Sequence, residues 1–327
     1  MKHLRILPAS VLLLAGALSG FARAGSIDAA IDLYHRGKFE EAARLLAGWK
    51  AADPKDAQVR FWLGKTRLKQ RLWDEAVREL ERAVALDPQS GVMHLWLGRA
   101  YGEKASRAFF LAAPGLAAKT RQQFEAAVKL APDDIDNRFD LLEYYAEAPG
   151  ILGGGREKAE AQAAAIAGLS ARIGFSARAR LHILDRRWDQ ARQKLEQATQ
   201  KFPEDPGGYL DLAEFLLQRR DFPEAEKNAR KAVSLEGTLP RARMLLAAAE
   251  VELRQNLEQA AGTLRELASG PLADGDPAFD EVYYWLGRAL LARGLRDEAR
   301  KALQMSLEFN PDHGQAKAVL AQIRSSL

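Results

Sequence analysis

The chain has 327 residues, with 48 Lys and Arg against 44 Asp and Glu, and it contains no cysteine. Charges of opposite sign alternate, as in Arg78-Glu79-Leu80-Glu81-Arg82, which is typical of solvated helix faces and disfavours a nucleic-acid-binding protein, since that class gathers its basic residues on one surface. Without cysteine the chain cannot form disulfides, supply thiolate metal ligands or carry a lipidated cysteine.

The first 24 residues are expected to be a secretory signal peptide. Lys2 and Arg5 precede an apolar run over 6–18, and the triplet Ala22-Arg23-Ala24 supplies a small-x-small cleavage site. The run is shorter than the roughly 20 residues that span a bilayer. We therefore expect cleavage after Ala24, a periplasmic protein in a Gram-negative cell and no stable membrane insertion afterwards. Removal of the leader leaves 45 basic against 44 acidic residues over 25–327.

A period of 34 residues runs through the remaining chain. Four positions of one unit recur in the next, and three positions recur in a later pair of units: Phe39, Ala42, Leu46 and Pro54 as Trp73, Ala76, Leu80 and Pro88, then Trp188, Ala191 and Ala198 as Phe222, Ala225 and Ala232. Such a period indicates a stack of similar units, each of which buries its apolar face against its neighbours.

The clearest unit covers residues 57–90 and predicts two amphipathic helices. Apolar residues recur at three- and four-residue steps along both segments, which places them on one buried stripe per helix. The small residues Gly64 and Ala76 allow the two helices to approach closely. Trp73 and Leu80 are expected to fill the space toward the next hairpin, and Pro88 ends the second helix because it lacks a backbone donor.

The residues of this unit resemble the tetratricopeptide repeat (TPR) signature. The resemblance rests on Trp62-Leu63-Gly64, Ala76, Leu80, Ala83 and Pro88, and on Trp96-Leu97-Gly98 and Trp285-Leu286-Gly287. It implies an all-α, right-handed α-solenoid of about eight helical hairpins that binds peptides or proteins. The expected repeats are 23–56, 57–90, 91–134, 135–171, 172–205, 206–239, 240–279 and 280–313. A capping helix over 314–327 presents Ala316, Val319, Leu320 and Ile323 to the stack.

Three repeats are longer than 34 residues. The third carries ten extra residues, expected between its helices around Lys104–Ala118, and the fourth is expanded at 148–155, also between its helices. The seventh gains residues after its second helix, near 269–276. Turns within successive hairpins emerge on the same rim of a solenoid, so the third and fourth insertions should lie side by side. Phe109, Phe110, Ile151 and Leu152 are the predicted partner-binding residues of this rim.

The resemblance also implies a concave groove lined by the first helix of each repeat. The positions that face the groove in the family correspond here to Phe61, Lys65, Lys69, Leu95, Arg99, Phe139, Glu143 and Glu147, and further along to Leu210, Glu214, Met244, Tyr284 and Arg288. This set predicts a groove that is basic at the second and third repeats and acidic at the fourth. For the large apolar members, packing between adjacent hairpins is the alternative. The lysine and asparagine set with which some family members clamp an acidic tail is absent.

No pattern in the sequence indicates catalysis, a metal or a cofactor. The glycine run 150–155 is followed by Arg156-Glu157 instead of Gly-Lys-Ser/Thr, so it is interpreted as a long turn, with only a minor possibility of an anion site. His35, His94, His182 and His313 fall on different repeats, and no Gly-x-Ser-x-Gly elbow occurs.

The leading hypothesis is a non-catalytic scaffold of the bacterial envelope, which binds a protein or peptide in the groove and on the rim. The alternative is a protein that binds a small ligand, a glycan or a peptidoglycan fragment. For that alternative, Phe139, Tyr144, Tyr145 and Arg138 are the candidate aromatic and polar contacts.

Overall fold

The computed structural model describes residues 27–325, and within that range every regular element is a helix. In chain order the helices are α1 (27–35), α2 (Phe39–Ala52), α3 (Ala57–Lys69), α4 (Trp73–Leu86), α5 (Gly91–Arg107), α6 (Ala113–Leu130), α7 (Ile135–Glu147), α8 (Arg156–Leu169), α9 (Ala171–Leu184), α10 (Trp188–Lys201), α11 (Pro206–Gln218), α12 (Phe222–Leu235), α13 (Pro240–Leu253), α14 (Leu257–Ser269), α15 (Phe279–Ala292), α16 (Arg296–Phe309) and α17 (Gly314–Ser325). A 3₁₀ turn, Gly150–Leu152, lies between α7 and α8. Consecutive helices pair as hairpins from α1/α2 to α15/α16, so the chain forms an α-solenoid. The expected signal peptide lies outside the described residues.

The first helices of the second to sixth hairpins begin at side-chain caps. Asp56, Ser90, Asp134, Ser170 and Asp205 each accept a hydrogen bond from a backbone N–H in the first turn of α3, α5, α7, α9 and α11. A cap of this kind satisfies a donor that has no partner within the helix, and it contributes roughly 1 kcal/mol. The caps therefore fix where each hairpin begins.

The tight turn inside most hairpins contains one residue in the left-handed conformation. This residue is Gly37, Arg71, Arg186, Arg220, Arg254 or Gly294, with φ between 56° and 80°. Because the first two positions, and then the middle three, are 34 residues apart, the turn geometry follows the sequence period. At Gly37 a side chain would also contact the Phe279 ring at 3.0 Å. The turns of the third and fourth hairpins are longer and lack this geometry at the equivalent place.

Glycines allow the two helices of a hairpin to touch. A Cβ at Gly64 would lie 2.5 Å from Leu80 Cγ, and one at Gly287 would lie 2.6 Å from Leu303 Cγ. Ala76 is fully buried, as the close approach predicted at Gly64 and Ala76 requires. Leu80 thus packs within its own hairpin, and the prediction that it fills the space toward the next hairpin was wrong.

The extra residues of the third repeat lengthen its helices. The sequence predicted that they would lie between α5 and α6, but these helices have 17 and 18 residues, and the connection is only 108–112. Pro114 does not break α6, because it lies in the first turn, where a missing N–H costs nothing. The longer hairpin raises its turn by roughly 5 Å, one helical turn, above the neighbouring hairpins.

The apolar core is divided into clusters along the stack. The largest runs from Ala213 to Ile323, and others join α5 to α9 and α3 to α5. On α17, Ala316, Leu320 and Ile323 are buried against the last hairpin. This helix covers the apolar end of the stack, as a solenoid cap does.

The stack closes on itself, because the first hairpin contacts the loop 270–278 that follows α14. The Leu272 N–H donates to the His35 carbonyl at 2.6 Å, and the Tyr34 hydroxyl donates to Asp274 Oδ1 at 2.7 Å. Asp274 Oδ2 accepts from Lys65 Nζ at 2.5 Å. The expansion of the seventh repeat is therefore a closing loop between the two ends of the solenoid.

A second contact between the two ends is aromatic. The Phe309 ring at the end of α16 stacks on Phe279 at 5.2 Å between centroids and meets the edge of the Phe39 ring of α2 at 6.0 Å. Nearby, Arg71 donates to Asn310 Oδ1 at 2.8 Å and also pairs with Asp312. The first two hairpins are thus held against the last one by apolar and polar contacts.

Candidate functional site

Ion pairs join successive first helices along the inner face of the stack. The pairs are Arg99–Asp140 (2.5 Å), Glu143–Arg180 (2.6 Å), Arg172–Asp211 (3.1 Å), Glu214–Arg241 (2.5 Å) and Glu252–Arg288 (3.0 Å). They connect α5 to α7, α9, α11, α13 and α15 in order. The charges of the inner face are therefore matched between neighbouring repeats.

Lys65 of α3 lies in a cage of aromatic rings at the closed end of this face. Its side chain is only 3% exposed, and Nζ lies 3.9 Å from the Trp62 ring centroid and 4.4 Å from that of Trp96. The Tyr34 and Phe61 rings lie slightly farther away, at 5.0 and 5.3 Å. Ring faces attract a cation, but a buried ammonium also needs an anion. Asp274 of the closing loop supplies that anion.

The ionisation of this cluster follows from burial and pairing. Burial acts to raise the pKa of Asp274, but hydrogen bonds from Lys65 and Tyr34 outweigh it and hold that pKa below its usual value. Burial lowers the pKa of Lys65, and the Asp274 carboxylate opposes that shift. Burial, followed by the Asp274 charge, raises the pKa of Tyr34 well above its usual value, so its hydroxyl remains a donor. Burial also lowers the pKa of the neighbouring Lys69.

Two cavities occupy the remainder of the inner face. One, of about 480 Å³, lies at the sixth to eighth hairpins and is lined by Tyr284, Trp285 and Arg288, among others. The other, of about 520 Å³, lies at the fourth to sixth hairpins and includes Phe139. Glu214, Gln218 and Arg241 line both, so the two form one continuous polar groove.

The rim above the third and fourth hairpins carries a concentrated apolar surface. The side chains of Phe109, Phe110 and Leu111 are 70%, 69% and 74% exposed, and that of Ile151 is 94% exposed. Within 27–325 every other large apolar residue is less than half exposed. The two turns are joined through Arg121 of α6, whose Nη1 lies 3.4 Å from the Leu152 carbonyl. We call Phe109, Phe110, Leu111 and Ile151 the rim patch.

Comparison with protein-family models identifies the repeats. The model described as "Tetratricopeptide repeat" matches residues 33–94, 182–249 and 254–323, together more than half of the chain. The chain belongs to the tetratricopeptide repeat family. The unmatched stretch between 94 and 182 contains the two longest hairpins, where the structure nevertheless shows paired helices.

Solved TPR structures share the fold at low sequence identity. Yeast Tom70 aligns with a TM-score of 0.57 and 18% identity over 89% of this chain, which spans 60% of Tom70. A thermophilic TPR protein from Thermus thermophilus aligns with a TM-score of 0.48 and 23% identity, over 59% of this chain and 98% of its own. One from Parabacteroides merdae has a TM-score of 0.46 and 13% identity, over 92% and 98%. The search of curated proteins gave no match.

The apolar residues predicted from the family to face the groove lie mainly in the core. Phe61 and Leu95 are buried in the clusters between hairpins, as the alternative interpretation held, and so are Met244 and Tyr284. Phe139 is half-buried and lines the larger cavity. Of these five, Phe139 is the one whose ring offers side-chain surface between the repeats to a ligand in the larger cavity.

The charged residues of the TPR groove are mostly paired, which changes the predicted polarity. Lys65 is buried against Asp274, Arg99 pairs with Asp140, and Glu143 pairs with Arg180. The expected basic and acidic sections are therefore neutralised by partners from neighbouring repeats. Lys69 and Glu147 keep exposed side chains near the ends of α3 and α7.

The predicted rim residues lie together, with one exception in their exposure. Phe109 and Phe110 pack against each other with ring centroids 4.5 Å apart, and both project outward with Ile151. The Leu152 side chain is half-buried, and its carbonyl accepts from the Tyr144 hydroxyl at 2.9 Å. Leu152 therefore anchors its turn, and Leu111, which the sequence analysis did not select, belongs to the exposed surface.

The glycine-rich turn does not offer its N–H groups to an anion. The amides of Gly153, Gly154 and Gly155 donate to the carbonyls of Gly150, Pro149 and Tyr145. The candidate glycan contacts are also engaged internally, since Tyr145 donates to Glu125 at 2.9 Å and Arg138 donates to the Pro132 carbonyl at 2.6 Å. These side chains do not converge with Phe139 on one pocket.

Two other kinds of site are absent within residues 27–325. No group of three or more His, Asp or Glu side chains in this range is arranged to hold a metal ion. No helix in the same range combines the length and the apolar character needed to cross a membrane.

The sequence analysis missed Tyr34 and Asp274, which complete the Lys65 cluster. The only available signal was the expansion after α14, where Pro271-Leu272-Ala273-Asp274 breaks the helical pattern. Because this loop meets residues more than 200 positions earlier, no local pattern could indicate the pairing.

Proposed function

We propose that this TPR protein is an exported, non-catalytic scaffold of the bacterial cell envelope. It binds a protein partner through the rim patch, and the polar inner groove receives an extended segment of that partner. The family supports binding of proteins or peptides in general. The rim patch supports this particular surface.

The observation that carries the proposal is the exposure of four large apolar side chains on two adjacent turns. Contiguous exposed apolar surfaces of this kind commonly mark interaction sites. Burying one Phe or Ile side chain fully contributes about 1.5–3 kcal/mol. Loss of two such anchors should weaken binding by about 3–6 kcal/mol, or roughly 10² to 10⁴-fold.

The occupant of the rim patch is expected to be a folded protein with an apolar recess. The longer α5/α6 hairpin raises Phe109, Phe110 and Leu111 above the neighbouring turns, so these side chains form a projection instead of a groove. A projecting aromatic pair fits a concave pocket, where burial of Trp, Tyr or Phe anchors dominates binding energy.

The test is photocrosslinking from Ile151 in intact cells of the source organism, followed by mass spectrometry. A photoreactive amino acid at Ile151 should give discrete protein adducts, and Phe110→Asp in the same chain should abolish them. Adducts that persist unchanged in Phe110→Asp would contradict the rim proposal, and so would the absence of any protein adduct.

The matched control places the same charges on the opposite edge of the same two repeats. Val92 lies in the first turn of α5 and Leu169 ends α8, and both are exposed apolar residues away from the patch. The variant Val92→Asp with Leu169→Asp should keep the adducts. N-terminal sequencing of the mature protein tests export separately, and a first residue other than Gly25 would contradict cleavage after Ala24.

A second candidate function is binding of a polar small molecule, such as a glycan or peptidoglycan fragment, in the inner cavity. The cavity beside Tyr284, Trp285 and Arg288, about 480 Å³, favours it, because it combines aromatic faces with hydrogen-bonding groups. A saturable rise in melting temperature with muropeptides would support this candidate. No shift at millimolar ligand would remove it.

A further inference from the structure

The closing loop is seated on the first three repeats in the manner of a bound peptide. It contributes one main-chain hydrogen bond, from the Leu272 N–H to the His35 carbonyl, and one buried apolar side chain, that of Leu272. It also inserts one carboxylate, whose two oxygens accept from Tyr34 and Lys65. A main-chain contact, an apolar contact and a charged contact are the elements with which a groove recognises an extended segment.

We propose that the Tyr34–Lys65 cluster is a carboxylate-binding site for an acidic peptide segment, and that Asp274 is its intramolecular occupant. An Asp or Glu side chain of the partner exchanges with Asp274, and the closing loop leaves the site. This inference rests on the proposed function, because the exchanging segment belongs to the partner held at the rim patch.

The burial of Lys65 makes the site require an anion. A buried ammonium without a partner carries a large desolvation penalty, and the aromatic cage compensates only part of it. Loss of Asp274 without replacement is therefore unfavourable, whereas exchange for another carboxylate is nearly neutral. A segment without Asp or Glu cannot displace the loop.

Lys69 provides for a second carboxylate. Its side chain faces the same loop, where it interacts electrostatically with Asp274 and Asp280, and no hydrogen bond to it occurs among the described contacts. Arg99, the other nearby cation, is already paired with Asp140. The site thus holds one more positive charge than its occupant neutralises, which favours a segment with two neighbouring acidic residues over the single Asp274.

The loop can leave without separation of the hairpins. It has no regular structure between Gly270 and Pro277, and a side chain at Gly275 would contact nothing within 4 Å. The aromatic contact of Phe309 with Phe39 and Phe279 lies outside the loop and holds the two ends together. A tethered occupant acts at an effective concentration of roughly millimolar. A free peptide is therefore a poor competitor, while a partner anchored at the rim patch gains a comparable local concentration.

The experiment measures binding of a labelled peptide with the sequence 269–278 to the full chain, by fluorescence anisotropy. The Asp274→Ala variant should bind it about tenfold or more tightly than the wild type, because the internal competitor is removed. A peptide with Asn at the position of Asp274 should not bind either protein. Asp276→Ala is the matched control, since the Asp276 carboxylate accepts only from the Ala273 N–H of its own loop, at 2.8 Å, and it should behave as wild type.

A second variant protects the test if Asp274→Ala does not fold. Replacing 271–276 by a Gly-Ser segment of equal length empties the site, and adding Lys65→Met to that variant should abolish peptide binding. The proposal is overturned if a folded, emptied variant binds the acidic peptide no better than wild type. Crosslinking from Ile151 depends on Phe110 and not on Asp274, so failure of this site and failure of the rim proposal are separate results.

Discussion

Replacement of Gly64 by alanine tests the packing of the hairpin directly. The new Cβ would lie 2.5 Å from Leu80 Cγ and 3.2 Å from the Leu80 backbone N, and Leu80 is fully buried. Ordinary carbon contacts are about 3.5–4 Å, so the two helices must separate or Leu80 must leave its position. Overpacking of this kind costs about 1–3 kcal/mol.

Gly48 is the matched control within the second helix of the first hairpin. It lies inside α2, is exposed, and a Cβ there would meet nothing within 4 Å. Gly-to-Ala replacement inside a helix gains about 0.5–1 kcal/mol from backbone entropy. The gain applies at both positions, so the difference between the two variants isolates the packing cost. We expect Gly48→Ala to be more stable than Gly64→Ala by about 1–3 kcal/mol.

The assay is urea unfolding followed by circular dichroism at 222 nm, with both variants measured against wild type. Gly48→Ala should raise the midpoint and Gly64→Ala should lower it or leave it unchanged. If Gly64→Ala stabilised the protein as much as Gly48→Ala, the close approach of α3 and α4 would be incorrect, and with it the geometry that places Lys65.

Two further predictions concern single side chains. Arg186→Gly should raise the free energy of unfolding by up to about 1 kcal/mol, because φ at Arg186 is 58° and the left-handed conformation disfavours a side chain; in urea unfolding the same change at Arg187, where φ is −89°, should be neutral or destabilising, and equal effects at both would contradict the strain. Burial and the hydrogen bond to Glu125 raise the pKa of Tyr145 to about 12, above its usual value near 10, so its contribution to stability is present below pH 10 and is lost as pH rises through 12. The difference in absorbance at 295 nm between wild type and Tyr145→Phe should show one titration near pH 12, and a step near pH 10 would refute the burial.

Much of the fold could be predicted because each repeat is specified locally. The 34-residue period, the stop at Pro88 and the small residue at Gly64 all act within one hairpin, and the structure places helices and a close contact where they indicate. The third repeat was less accessible. Its extra residues are largely helix-compatible, so they lengthened α5 and α6 instead of forming the expected long connection.

The inner face was harder to predict, because its chemistry depends on partners from other repeats. Periodicity placed Lys65, Arg99 and Glu143 on first helices, but it could not show that Asp274, Asp140 and Arg180 would neutralise them. Family-derived groove positions also could not separate core from surface, since Phe61 and Leu95 pack between hairpins. By contrast, the exposed residues of the rim patch followed from one local rule, that turns inside adjacent hairpins share a rim.

Matched charges on the inner face alter how selectivity can arise there. An uncharged or weakly polar segment gains little from a groove whose ion pairs are already complete, and a charged segment must replace one member of a pair. Replacing Asp274 requires only that a loop move, whereas replacing Asp140 or Asp211 would leave Arg99 or Arg172 without a partner within the stack. Exchange is therefore easiest at the closed end, beside Lys65. Affinity then comes mainly from the apolar rim patch, while the requirement for a carboxylate is imposed at the site that the closing loop occupies.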